Sequence, residues 1–308
     1  MGDTSIEWTD RTWNPVTGCT KVSPGCKNCY AEAVADRFWA KQYPPISDGR
    51  DRRFTDVICH PDRLEQPLHW RKPQRIFVNS MSDLFHENVP EDFISQVFAV
   101  MFLAKHHTFQ ILTKRPERML EYCLAAANDP FSYIWAWASE FEQPCVDVPR
   151  EINFPLPSVH LGISVENQKY ADERIPKLLQ TPAAVRFISY EPALESVTFS
   201  RWLGPGYLDW LIIGGESGNG ARPFNIQWAR DVIQQCRAAG VACFVKQMGS
   251  KPVRRCNNRA CQTHPGMCPL FGGEHGHGHD GMLPIYLSGK GGDMADWAED
   301  LRVREFPV

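Results

Sequence analysis

The 308-residue sequence has no long hydrophobic run. Its longest apolar stretches, Phe93 to Ala104 and Asp209 to Gly215, are interrupted or fall short of the ~20 residues a membrane-spanning helix needs. Residues 1–10 lack a basic segment followed by an apolar core, so no secretory leader is expected. These absences predict a cytoplasmic protein with no membrane partner. An excess of basic charge is missing too: 33 Lys and Arg stand against 36 Asp and Glu, a net charge of −3. That excludes a polybasic nucleic-acid coat protein but not a local basic groove. There is no Walker-type phosphate loop, no local Ser–His or Cys–His hydrolase signature and no tandem repeat.

Core material is plentiful, at 43% hydrophobic residues, so the chain is expected to fold without disulfide staples. Its eleven cysteines therefore read as metal ligands or buried thiols. Cys236, on a helix, and Cys243, in an apolar strand, read as buried small hydrophobes.

Six apolar, β-rich runs end abruptly in polar residues: Arg75–Ser80, Phe109–Arg115, His160–Glu166, Val185–Glu191, Trp210–Glu216 and Ala242–Gln247. Continuous apolarity implies burial on both faces, as in parallel sheets. Helices are expected between them at Glu91–Lys105, Pro116–Ala127, Asn167–Gln180 and Asn225–Ala239, the last closed by Gly240. This alternation gives an α/β fold. Because all six strands finish in polar groups, a partial or complete TIM-like (β/α) barrel, whose strands share one mouth, is favoured over an open doubly wound sheet. Thr12–Gly18 is a further candidate strand, short or at an edge because of Pro15. The expected organisation is a barrel over 1–253, with a surface excursion at 129–158. A Cys/His-rich insertion follows at 254–282, and a tail at 283–308 packs back on the barrel.

The strongest local signal is Cys19, Cys26 and Cys29, a C-x6-C-x2-C spacing directly before the helical run Ala31–Gln42. Three thiolates within eleven residues suit one soft metal centre, either an iron–sulfur cluster or a zinc site completed by a fourth ligand; free thiols are the remaining alternative. Near the C-terminus, Cys256, Cys261, His264 and Cys268 fit a structural zinc site, with an auxiliary cluster or an unliganded loop as alternatives. His275, His277 and His279 follow, alternating with glycine.

The cysteine triplet ahead of a barrel pattern resembles the radical S-adenosylmethionine (SAM) superfamily. The runs Ser5–Thr9, Thr12–Pro15, Asn79–Phe85, Leu112–Pro116 and Gly214–Ser217 are similar to a phage- and mobile-element-associated three-Cys-motif family, over nearly the whole chain outside the insertion. Two features differ from the usual superfamily pattern. Its first cysteine gap is three residues rather than six, with an aromatic before the last cysteine where Tyr30 here follows it, and its Gly-Gly-Glu motif ends the second strand rather than a late one. The resemblance implies a 4Fe–4S cluster on Cys19, Cys26 and Cys29, with one iron left to chelate SAM. Reductive cleavage of SAM would then give a 5′-deoxyadenosyl radical, which needs an electron donor.

The strand ends supply the other candidates. Glu166, Glu191 and Glu216 are expected as catalytic carboxylates, with Lys114, Arg115 or Lys246 as cationic partners, Lys114 itself being a catalytic candidate. Tyr30, Asn79, Ser80, Ser164, Gly214 and Gly215 are expected to bind the cofactor. The function expected is a radical enzyme that modifies or repairs a substrate, a nucleic-acid base above others. The rival is a non-catalytic, metal-stabilised module that binds nucleic acid or a protein partner. Trp8, Trp13, Trp39 and Trp70 are available for base stacking unless they are core residues.

Overall fold

The computed structural model describes residues 4–46, 48–141, 151–255 and 282–307. The principal strands are β1 (Arg11–Trp13), β4 (Arg75–Val78), β5 (Thr108–Thr113), β6 (Val159–Ser164), β7 (Val185–Tyr190), β8 (Trp210–Gly214) and β10 (Ala242–Gln247). They form one seven-stranded sheet in the order β1-β4-β5-β6-β7-β8-β10, and every neighbouring pair is parallel. Because each strand lies beside the previous one, each right-handed crossover puts its helix on the same face. The sheet curls away from the helices into a half-barrel. All its C-terminal strand ends therefore point to one mouth.

The helices are α1 (Tyr30–Gln42), α2 (Glu91–Leu103), α3 (Pro116–Asn128), the single turn α4 (Ala136–Ala138), α5 (Gln168–Gln180) and α6 (Ile226–Ala239). Their boundaries follow ordinary capping chemistry. Asn167 accepts a hydrogen bond from Tyr170 N at the start of α5, and Asn225 accepts one from Gln227 N at the start of α6. Gly240 ends α6 at a left-handed φ of 69°. Among the described residues no helix is long and apolar enough to cross a membrane.

Strand residues alternate between the helix-packed outer face and the concave inner face. Leu211 and Ile213 join the main core, whereas Trp210 and Ile212 join Trp8, Phe77, Phe187 and Phe244 in a separate inner cluster. This aromatic plug fills the lower half-barrel. Gly162 makes room for it, since a Cβ there would lie 2.4 Å from the Phe187 ring. Cys236 and Cys243 are buried in the main core.

One expectation changes. The stretch Thr12–Gly18 is not one strand. It divides at Asn14-Pro15 into edge strand β1 and a short β2 (Val16–Thr17), which pairs antiparallel with β3 (Ile58–Cys59). Residues 129–141, the first part of the expected 129–158 excursion, form helical turns that are mostly half-buried or exposed but bury Ile134 and Ala138 completely. β11 (Pro252–Arg255) pairs with β9 (Phe224–Asn225) and β12 (Met282–Pro284), with Arg255 opposite Met282. The expected metal ligands Cys256, Cys261, His264 and Cys268 lie outside the described residues. At the tail, Val303 O accepts from Val245 N and Glu305 N donates to Cys243 O, along the free edge of β10.

Candidate functional site

Above the aromatic plug lies a cavity of about 340 Å³. Alternation along the strands selects its walls: counting inward-facing residues upward from Phe77, Leu112, Gly162, Phe187 and Phe244 reaches Asn79, Lys114, Ser164, Ser189, Glu191 and Lys246. All six line the cavity, as do Cys19, Cys26 and Cys29. Chain segments more than 200 residues apart thus meet at one mouth.

The cysteine loop crosses this mouth. Gly18, at φ 96°, starts it, and a Cβ there would strike the Asp56 carbonyl at 2.3 Å. Cys19 N donates to Phe54 O at 2.8 Å, Cys26 closes a single 3-10 turn, and Cys29 occupies the N-cap of α1. Burial and the negative charge of Asp83 push the Cys19 thiol up to about 12, although Arg115 acts in the opposite direction and donates to its Sγ at 3.6 Å. Cys26 behaves differently. Burial works against its thiolate, but the Lys114 ammonium, backbone hydrogen bonds at Val22 and Ser23, and the Ser23 hydroxyl bring it below the ordinary thiol value. No other thiol, and no imidazole, lines the cavity among the described residues. Among those residues, too, no three His, Cys, Asp or Glu side chains are gathered as a ready-made shell for a single ion.

The three glutamates take different places. Glu191 lines the cavity, with both oxygens held by Lys246 Nζ at 2.9 and 2.8 Å and one by Gln247 Nε2 at 3.0 Å. Glu216 also lines it but is turned toward the cysteine loop. It accepts from Arg222 Nε at 2.9 Å, Arg222 Nη2 at 2.5 Å and Asn28 Nδ2 at 2.9 Å. Burial opposes its charge, yet these donors hold its carboxyl below the usual range. Arg222 also donates to the Pro24 carbonyl at 2.9 Å. Glu166 is outside the cavity lining and wholly buried. It accepts from Ser23 Oγ at 2.7 Å and pairs with Arg174 at 3.3 Å.

Glu166 and Glu216 thus clamp the cysteine loop from two sides. Their cations are Arg174 and Arg222, not the expected Lys114, Arg115 or Lys246. Neither arginine carries a local sequence signal: Arg174 sits two turns into α5, and Arg222 follows a Gly-rich turn.

Lys114 lines the cavity and donates to Ser164 Oγ at 3.1 Å. Ser80 and Asn79 line it as well. Asn79, at φ 61°, accepts from Val16 N at 3.1 Å and so ties the end of β4 to β2. The Tyr30 hydroxyl donates to Ser80 O at 2.5 Å. Gly215 lines the cavity, and both glycines are closely packed: a Cβ on Gly214 would come within 3.0 Å of Glu191 Oε1, and one on Gly215 within 2.4 Å of Met248 O. Trp13 and Trp39 are buried core residues, which removes them as stacking surfaces, whereas Trp8, although 2% exposed, lines the floor of the cavity. The Asp83–Arg115 pair at 3.2 Å joins β5 to the loop through Cys19 and Thr20.

A family model described as "Protein of unknown function (DUF5131)" matches residues 3–281. No curated protein matches the chain. Two solved structures of spore photoproduct lyase are similar to it at low identity. A cysteine-to-serine mutant shares 11% identity over 76% of this chain and 63% of its own, with a TM-score of 0.42. The enzyme complexed with dinucleoside spore photoproduct shares 10% identity over 78% of this chain and 64% of its own, also with a TM-score of 0.42. The chain therefore spans less than two thirds of the length of either.

Proposed function

We propose, for a chain that belongs to the DUF5131 family of proteins of unknown function, that it is an iron–sulfur, SAM-dependent radical enzyme acting on a nucleic-acid base. One observation carries the reading: three thiols and the inward-facing polar ends of the parallel strands open on one cavity, with no fourth thiol or imidazole among its described lining residues. Three thiols suit a cluster that keeps one iron for an exchangeable ligand. A tetrahedral zinc site would need a fourth ligand beside these thiols, and no further thiol or imidazole stands among the described lining residues.

Cys19, Cys26 and Cys29 would hold the cluster, which with SAM supplies one-electron bond cleavage and a hydrogen-abstracting radical when bound. The chain's own residues prepare for that charge. Arg115 beside Cys19 and Lys114 near Cys26 offset negative sulfur. Every carboxylate in the cavity wall is already engaged: Asp83 by Arg115, Glu191 by Lys246, Glu216 by Arg222. Among the described lining residues, Lys114, whose hydrogen-bond partner is the neutral Ser164, is a cation placed to meet an anionic ligand group. Trp8, Phe77 and Leu112 supply an apolar floor that excludes water from a reactive intermediate. At about 340 Å³ the space is near the lower end of ligand pockets. A base in a duplex would have to leave its stack to reach so confined a mouth.

The test is anaerobic reconstitution with iron and sulfide, reduction by a one-electron donor and incubation with SAM and oligonucleotides. Formation of 5′-deoxyadenosine that disappears in a Cys26→Ser variant is expected. Its absence from a fully loaded, reduced protein with every oligonucleotide offered would overturn the proposal.

A further inference from the structure

Helix α1 buries one apolar stripe, Ala31, Ala35 and Trp39, as a surface helix should. It carries a second one outside. Tyr30 is 52% exposed, Val34 38% and Phe38 47%, and Val22 of the adjoining cysteine loop is 41% exposed. At about 3.6 residues per turn, Tyr30, Val34 and Phe38 share a side with Arg37 and Lys41, both exposed. The two acids of the helix, Glu32 and Asp36, fall on the other side, and Glu32 is already paired with Lys21 at 2.7 Å. The stripe begins at the cavity, because Tyr30 lines it and is fixed there through Ser80. It ends at Phe38, whose ring has the Arg37 guanidinium 5.1 Å from its centroid.

We infer that this face of α1 is a track for single-stranded nucleic acid, with Tyr30 and Phe38 as stacking platforms and Arg37 and Lys41 as phosphate contacts. Aromatic surface interleaved with cations, and free of acids, is the chemistry that holds single strands without reading sequence. A docking patch for a protein is more continuously apolar at its centre. The inference rests on the nucleic-acid reading above and adds where the strand lies: along α1, entering the cavity past Tyr30.

The experiment uses the full chain without iron, so that it is independent of cluster chemistry. Binding of a fluorescent oligothymidylate of roughly 15 nucleotides, within the range of single-strand site sizes, is followed by anisotropy at several salt concentrations. Phe38→Ala should weaken binding roughly five- to hundredfold, the span implied by the usual value of one stacked base. Arg37→Gln and Lys41→Gln should each reduce the salt dependence by about 0.7 unit of log–log slope, the single-strand value for one phosphate contact. Phe131→Ala, at an aromatic 60% exposed on another element, should leave binding unchanged. Circular dichroism confirms that each variant is folded. Wild-type affinity in Phe38→Ala together with an unchanged salt slope in the cation variants would overturn the inference. So would a wild-type protein that captures acidic proteins but no oligonucleotide. If binding behaves as expected but no 5′-deoxyadenosine forms, the radical chemistry fails and the track stands.

Discussion

Adding a single methyl group to the cysteine loop tests how that loop is held. In Gly25→Ala the new Cβ would lie 2.5 Å from both Cγ and Oε1 of Glu166, closer than real contacts allow. Gly25 does not occupy the left-handed region, so backbone preference does not contribute and the effect is steric. Glu166 has nowhere to retreat: it is fully buried and held by Ser23 and Arg174. Either the carboxylate leaves Arg174 or the loop lifts from the mouth. Losing a buried pair costs about 3–5 kcal/mol, and partial relaxation puts Gly25→Ala near the lower end, roughly 3 kcal/mol. The assay is the urea midpoint at unchanged slope, with iron retained after reconstitution as a second readout. Combining Gly25→Ala with Glu166→Ala removes the clash, so the double variant should cost at least ~1 kcal/mol less than the sum of the singles. Strictly additive losses, or a Gly25→Ala protein with wild-type midpoint and iron content, would refute the clamp.

Arg222→Met strips the nearly buried Glu216 of its cation and the Pro24 carbonyl of a donor. A loss of roughly 2–3 kcal/mol is expected, below the full cost of a buried pair because Arg222 is partly exposed, with less iron retained; denaturation and iron analysis check both. Gly162→Ala drives a Cβ into the buried Phe187 ring and should cost about 1–3 kcal/mol by overpacking, seen as a lower thermal midpoint. His160 makes stability sensitive to acid. Burial, partly opposed by Asp209, pushes its imidazole down to about 4, while the unfolded chain titrates near 6.5. Between these values the unfolded state binds the extra proton. Stability should therefore fall as pH drops from about 6.5 to 4, by at most ~1.4 kcal/mol per pH unit from this group, and be indifferent to it above that window. Urea midpoints of wild type and His160→Gln across the range should converge in acid; parallel curves would reject the assignment.

Strand positions were readable because their apolar runs stop at polar residues: Ala242–Gln247 matches β10, and the other five runs lie within two residues of strand ends. Period-two alternation then selects the cavity wall. Three things were not readable. Burial of Ile134 and Ala138 depends on packing against α2, which no local pattern announces. The fate of Glu166 depends on where Arg174 and Ser23 arrive, one from the following helix and one from a loop 143 residues away. Trp13 and Trp39 pass equally well for stacking surfaces or core until the fold decides, and the exposed aromatic face instead belongs to α1. In each case long-range geometry assigns the role to a residue type that the sequence merely supplies.

The central claim is that Cys19, Cys26 and Cys29 hold a multi-iron cluster, and metal analysis of the anaerobically reconstituted protein addresses it directly. The account predicts about four iron and four acid-labile sulfide per chain, lost together in Cys19→Ser, Cys26→Ser and Cys29→Ser variants, whatever zinc the 254–282 segment holds. Zinc bound at one equivalent by these three cysteines, with no labile sulfide, would contradict it.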